Sequence, residues 1–156
     1  MTANSRGHDR PDTALARAYA ATHYHVALPH QTLILRIGQH EARFEAYLRE
    51  RGIPQASLLT AWNPRSRIVP ERENHELQTR LVRELEHGGW ACWPTVHRDP
   101  AGRWPDEPGY CVAGMGAAEL DSWLRDFDQN AAVLIQPPAA PRLVWHPEER
   151  DGTTSP

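Results

Sequence analysis

Ala56-Ser57-Leu58-Leu59-Thr60-Ala61-Trp62-Asn63-Pro64-Arg65-Ser66-Arg67 is the stretch on which the reading of this chain turns. Its first six residues make a short, nearly continuous apolar run, the pattern of a central strand covered on both faces. Asn63-Pro64 then opens a turn. Beyond it lies the strongest helical pattern of the chain. Pro70 and Glu71 suit a first turn, Leu77, Leu81 and Leu85 form one apolar stripe, and Gly88-Gly89 end it.

Working outward, three more helices are predicted. Leu15 and Tyr19 stand four apart in 13–21, Phe44 and Leu48 in 41–51, and Leu120, Leu124 and Phe127 share one side of 117–127. Strand patterns alternate with them at 24–28, 32–37, 90–96, 110–113, 131–135 and 142–145, the first two joined by Pro29-His30-Gln31 as a hairpin. This order predicts a single α/β or α+β domain with a mixed sheet and helices packed on its faces. The hairpins argue against a purely parallel sheet. The domain is expected over 13–146, between polar tails at 1–12 and 147–156 that lack apolar periodicity.

The composition narrows the functional classes. A chain of 156 residues, 40% hydrophobic and 24% charged, suits one domain with its own core. No apolar run approaches the roughly 18 residues of a membrane span, and Met1 to Asp12 lacks the apolar segment of a secretory signal. Cys92 and Cys111 are too few for a disulfide framework and read as buried thiols in separate strands that could be neighbours, so a cytoplasmic protein is expected. All 17 basic side chains are arginine, yet the net charge is -3 and the arginines are spread along the chain. Extended nucleic-acid binding, which needs accumulated positive potential, is disfavoured. His23 and His25 share a strand face, but no helical His pair or Cys pair at ligand spacing accompanies them, so neither metal nor cofactor is expected.

Three loops carry residues suited to chemistry. The first leaves the buried strand and enters the long helix, where ligands of open α/β sheets gather. There Trp62 offers a stacking face, Asn63 a donor and an acceptor, Ser66 a hydroxyl, and Arg65 and Arg67 fixed charge. These suit an anionic or nucleotide-like small molecule. The second, Trp104-Pro105-Asp106-Glu107-Pro108, places carboxylates beside an aromatic. Glu107, expected at a sheet edge just before strand 110–113, is the candidate acid/base. The third, Phe127-Asp128-Gln129-Asn130, sets two amides at a helix end, where Asn130 in a left-handed conformation could equally serve as a cap.

Thr60-Ala61-Trp62-Asn63-Pro64 with Ser66 and Asn74 resembles a bacterial family known as domain of unknown function 3293. The resemblance extends to Tyr19, Thr22 and Tyr24, to Arg36-Ile37-Gly38, Gly89-Trp90, Trp104 and Glu107, and to Gln129-Asn130-Ala131 and Pro141. It departs at Gly109, where the family pattern has Ser. The resemblance implies the extent of the domain and no activity. Because its polar positions fall at predicted strand ends, Asn63, Ser66, Asn74, Glu107, Gln129 and Asn130 are expected to converge on one pocket. The leading expectation is a small-ligand domain, enzymatic or not. The alternative is an interaction module in which Trp62, Trp93 and Trp104 line a partner-binding face.

Overall fold

The strand β3 (Ala56–Leu59) is buried along its whole length, inside a sheet of seven strands. The structure, a computed structural model, describes residues 13–150. The chain runs α1 (Thr13–Ala21), β1 (His23–Leu28), β2 (Gln31–Leu35), α2 (Ala42–Glu50), β3, a 3-10 turn (Pro64–Ser66) and α3 (Glu71–His87). It continues through β4 (Cys92–Arg98), β5 (Glu107–Ala113), α4 (Ala117–Asp126), β6 (Ala131–Ile135), β7 (Arg142–Trp145) and α5 (Pro147–Arg150).

The strands lie in the order β2-β1-β4-β5-β3-β6-β7, a single α+β fold. Every pairing is antiparallel, not mixed as the sequence led one to expect. The reason lies in the helical crossovers. The segment through α3 takes the chain from β3 to β4 with β5 between them, and that through α4 takes it from β5 to β6 with β3 between them. Each crossover delivers a parallel strand one position too far to pair, and the slot between is filled antiparallel.

The sheet is curled. The N–H of Gly38, just after β2, donates to the carbonyl of Pro141, just before β7, at 2.8 Å, so the two outermost strands approach each other. Alternation along β6 then sorts side chains into two cores. Val133 and Ile135 face inward with Val26, Leu33, Leu58 and Cys111, where Phe44 and Leu48 of α2 fill the interior. Ala132 and Leu134 face outward with Leu59 and Val112, beneath Leu81 and Leu85 of α3 and Leu120 and Leu124 of α4. Cys92 and Cys111 do fall in neighbouring strands, yet on opposite faces; both are free thiols, but only Cys111 is buried as expected, while Cys92, near the start of β4, is half-buried.

The predicted tail at 147–156 begins with an ordered turn: α5 follows β7 directly, and its Glu149 reaches back into the fold. The expected tails at 1–12 and 151–156 lie outside the described residues. No helix among the described residues is long and apolar enough to cross a membrane.

Candidate functional site

Sheet register brings four side chains into one row. Leu35 of β2 pairs with Tyr24 of β1, Tyr24 with His97 of β4, and His97 with Glu107 of β5. All four point to the inner face, since Tyr24 and Leu35 belong to the inner core and Glu107 alternates with Cys111. Toward α2 the interior is apolar; at this row it turns polar. Glu107 thus opens the central strand of the sheet, not a sheet edge as expected.

The loop leaving β3 closes this polar end in an unusual conformation. Asn63 (φ 47°), Arg65 (φ 56°) and Ser66 (φ 56°) are all left-handed, a state costing of order 1–3 kcal/mol for each non-glycine residue and held only where surroundings over-determine it. They do so here. The Asn63 N–H donates to Asn74 Oδ1 at 2.7 Å, and Asn74 Nδ2 donates back to Asn63 Oδ1 at 2.9 Å. Asn63 Oδ1 also accepts the Val69 N–H at 3.1 Å. The Arg65 N–H donates to the Asp128 carbonyl at 2.9 Å, and Asn130 Nδ2 donates to Ser66 Oγ at 2.8 Å. Asn74 sits one turn into α3, so the long helix serves as the anchor of the loop.

Glu107 receives two hydrogen bonds, both on Oε2: from Asn63 Nδ2 at 3.1 Å and from Trp104 Nε1 at 2.7 Å. Burial nevertheless dominates and raises its carboxyl above the ordinary 4.5, against the lowering effect of those two donors. The groups around it are neutral. Burial pushes the Tyr19 phenol to about 12, with the Ser66 hydroxyl opposing and the Glu107 charge adding. Burial pushes the Tyr24 phenol further still, with Tyr19 and Glu107 adding to the effect. The Thr22 side chain opposes the rise, yet the Tyr24 hydroxyl is buried with no hydrogen-bond partner of good geometry among the described residues.

His97 stacks edge-on against Tyr24, with ring centroids 4.9 Å apart, and its Nε2 meets Thr95 Oγ1 at 2.9 Å. Loss of hydration lowers its pKa to about 4 from 6.5. The sign follows from linkage. The unfolded chain takes up a proton below pH 6.5 that the folded chain refuses until near pH 4, so stability falls as pH drops through that window. From pH 7 to pH 5 the loss is expected to be about 2 kcal/mol at most, because the ring keeps some solvent access. Urea unfolding at the two pH values checks this. His97→Gln should reduce the difference, with His25 and His146, whose pKa values burial also lowers, supplying the remainder, and an unchanged difference would refute the assignment. Glu107, with its raised pKa, works in the opposite direction and partly masks the effect in the unaltered protein.

The residues singled out from the sequence divide into groups. Asn63, Asn74 and Glu107 form one hydrogen-bonded chain, and Ser66 and Asn130 pair beside it. Gln129 does not join them. Its amide donates to the Trp62 carbonyl at 3.2 Å, and its side chain lies against Leu120, Trp123 and Leu124 under α4, on the outer face. The single pocket expected from the six polar positions therefore gives way to an inner cluster without Gln129. Trp62 stands edge-on to His75 of α3.

Arg65 is no free cation. Its guanidinium meets Asp128 at 2.7 Å, Glu149 at 3.0 Å and Glu148 at 3.2 Å, tying α5 to the loop. Arg67 is exposed and borders an open groove of about 500 Å³ with Ile68, Glu73, Leu77 and Phe127, whose lining does not include Glu107. No buried ionisable group lines that groove, whereas the inner cluster holds several. The left-handed residue after α4 is Asp128 (φ 50°), not Asn130, because Asp128 follows the helix cap Phe127 directly. The three tryptophans of the alternative reading do not share a face. Trp93 packs against Tyr47 of α2, with centroids 5.5 Å apart, at the opposite end of the sheet from Trp104.

Tyr19, Tyr24, His97 and Thr95 were not among the expected site residues. Tyr19 and Tyr24 carried a signal only through the family resemblance, and a single histidine in a strand carries none.

Residues 59–132, just under half of the chain, match the family described as protein of unknown function (DUF3293). Over this segment the chain is similar to the DUF3293 family. No curated protein and no solved structure matches. The matched segment runs from the end of β3 to the start of β6 and contains Asn63, Ser66, Asn74, Glu107 and Asn130. Tyr19 and Tyr24, which meet that cluster from α1 and β1, lie outside it.

Proposed function

We propose that this protein is a cytoplasmic small-ligand domain whose site is the polar end of the curled sheet, with Glu107 as the group that meets the ligand. The observation that carries this reading is the Glu107 carboxyl itself. Both of its hydrogen bonds fall on Oε2, and burial raises its pKa. A carboxyl so placed, with one oxygen oriented and the other outside those bonds, is suited to accept a donor from a ligand or to exchange a proton with it. Strain in the loop at Asn63, Arg65 and Ser66 supports the same location, since such strain gathers at functional sites.

The role of Arg65 changes with its contacts. It was expected to balance an anionic ligand, but three carboxylates already surround it. In this reading Arg65 holds the loop and the C-terminal turn together, and Asn63 orients Glu107. The two free thiols, on opposite faces of the sheet, accord with a reducing compartment.

The test is a thermal-shift screen of small metabolites on the full chain and on Glu107→Gln. At least one compound should raise the melting temperature of the unaltered protein and have a tenfold weaker effect on the variant. Compounds that stabilise both proteins equally, or none that stabilise either, would refute the reading.

A further inference from the structure

We propose that the ligand is an organic cation: an amine, amidine or quaternary ammonium group seated against Glu107 and the aromatic side chains around it. This inference rests on the Glu107 site proposed above and adds the class of compound it takes.

The argument is first one of charge. Around the polar end, Tyr19, Tyr24, Trp104, Asn63 and Thr95 are uncharged at neutral pH, and burial keeps His97 neutral as well. The Arg65 charge, on the loop that closes this end, faces Asp128, Glu148 and Glu149 and is outnumbered by them. Glu107 receives only neutral donors. The local sum is therefore negative. A phosphate or carboxylate would enter against the Glu107 charge, whereas a cation would complete the pairing; Arg36, just after β2, has a buried Nε without a partner among the described residues, but no positive charge acts on the Glu107 carboxyl.

A second observation is independent of charge. The Tyr24 side chain is only 3% exposed, its hydroxyl has no hydrogen-bond partner of good geometry among the described residues, the Thr22 side chain being the polar group beside it, and it lies in the same sheet row as His97 and Glu107. A buried hydroxyl left unpaired costs roughly 1–3 kcal/mol. Its oxygen can accept a hydrogen from an N–H donor that has come to Glu107. The rings supply the rest of the surface. Trp104 donates to Glu107, Tyr24 packs on His97, and Tyr19 stands edge-on to Trp145 at 5.8 Å. Aromatic faces beside a carboxylate are the combination that recognises alkylammonium and amidinium groups.

The experiment uses the full chain with three sets of probes: butylamine, benzamidine and choline as cations; inorganic phosphate and adenosine monophosphate as anions; acetamide as a neutral compound. Binding is read by thermal shift and calorimetry on the unaltered protein, Glu107→Gln and Tyr24→Phe. At least one cation should bind, with affinity falling tenfold or more in Glu107→Gln and severalfold in Tyr24→Phe, and neither anion should bind. An anion or acetamide that binds only when Glu107 is present would overturn the cation and leave the Glu107 site standing. Cation binding indifferent to both substitutions, or no binding by any probe, would overturn both. Tyr24→Phe removes only the unpaired hydroxyl, so it remains informative if Glu107→Gln does not fold.

Discussion

Gly109→Ala is expected to lower stability by about 3 kcal/mol and the melting temperature by about 10 °C, measured by urea and thermal unfolding. Gly109 lies in β5 between β3 and β4, and a Cβ there would press directly on the Leu59 carbonyl oxygen of the adjacent strand. It would also come within 2.9 Å of His97 Nε2 and 3.0 Å of Thr95 Oγ1. None of these neighbours can yield cheaply. Leu59 is held in the β3–β5 pairing, and His97 and Thr95 are bonded to each other. Overpacking at side chains commonly costs 1–3 kcal/mol; against backbone the upper end applies. A loss under 1 kcal/mol would mean that the sheet opens here more easily than the close approach allows. The same crowding bears on the resemblance, from which this chain was expected to depart by having Gly109 in place of Ser. No side chain has room there, so a hydroxyl at that position plays no part in this chain.

Asn63→Ala should be about as damaging, at roughly 3 kcal/mol. Asn63 Oδ1 serves both the Val69 N–H and the Asn74 amide, and its Nδ2 serves Glu107. Alanine removes all three bonds, at about 1 kcal/mol net for each. It must also adopt φ 47°, which asparagine tolerates better. Asn63→Gly separates the two contributions, because it loses the same bonds without the backbone penalty and should be the more stable variant. In both, Glu107 loses one of the two donors that restrain its pKa, so its titration should move upward. Glycine and alanine variants of equal stability, with Glu107 unmoved, would show that neither the loop strain nor the Asn63–Glu107 bond is significant.

What was legible in the sequence was local. The continuous run at Ala56–Leu59 and the Leu81/Leu85 stripe gave β3 and α3 because each pattern reports burial within its own element. The placing of Asn63 and Glu107 near one another followed from strand ends, and their 3.1 Å bond is consistent with it. What was not legible depended on pairing between distant segments. Nothing in the sequence near His97 or Tyr24 announces that register will set them in a row with Glu107. Arg65 read as a free charge because its partners, Asp128, Glu148 and Glu149, lie more than sixty residues away, two of them in a segment taken for a tail. The mixed sheet failed for a related reason. Periodicity marks strands and helices but does not say that each crossover will pass over one strand position. Gln129 was grouped with Asn130 by adjacency, and alternation along the chain sent the two side chains to different faces.

The central claim is that Glu107 is a poised carboxyl and not merely a brace for Trp104 and Asn63. Its most direct test is a ¹³C NMR titration of the Glu107 side-chain carboxyl in the full chain, assigned by comparison with Glu107→Gln. The account predicts a midpoint above the ordinary 4.5, because burial outweighs the two donors on Oε2. A midpoint at or below 4.5 would show a carboxylate held ionised by its structural partners, and would contradict the account.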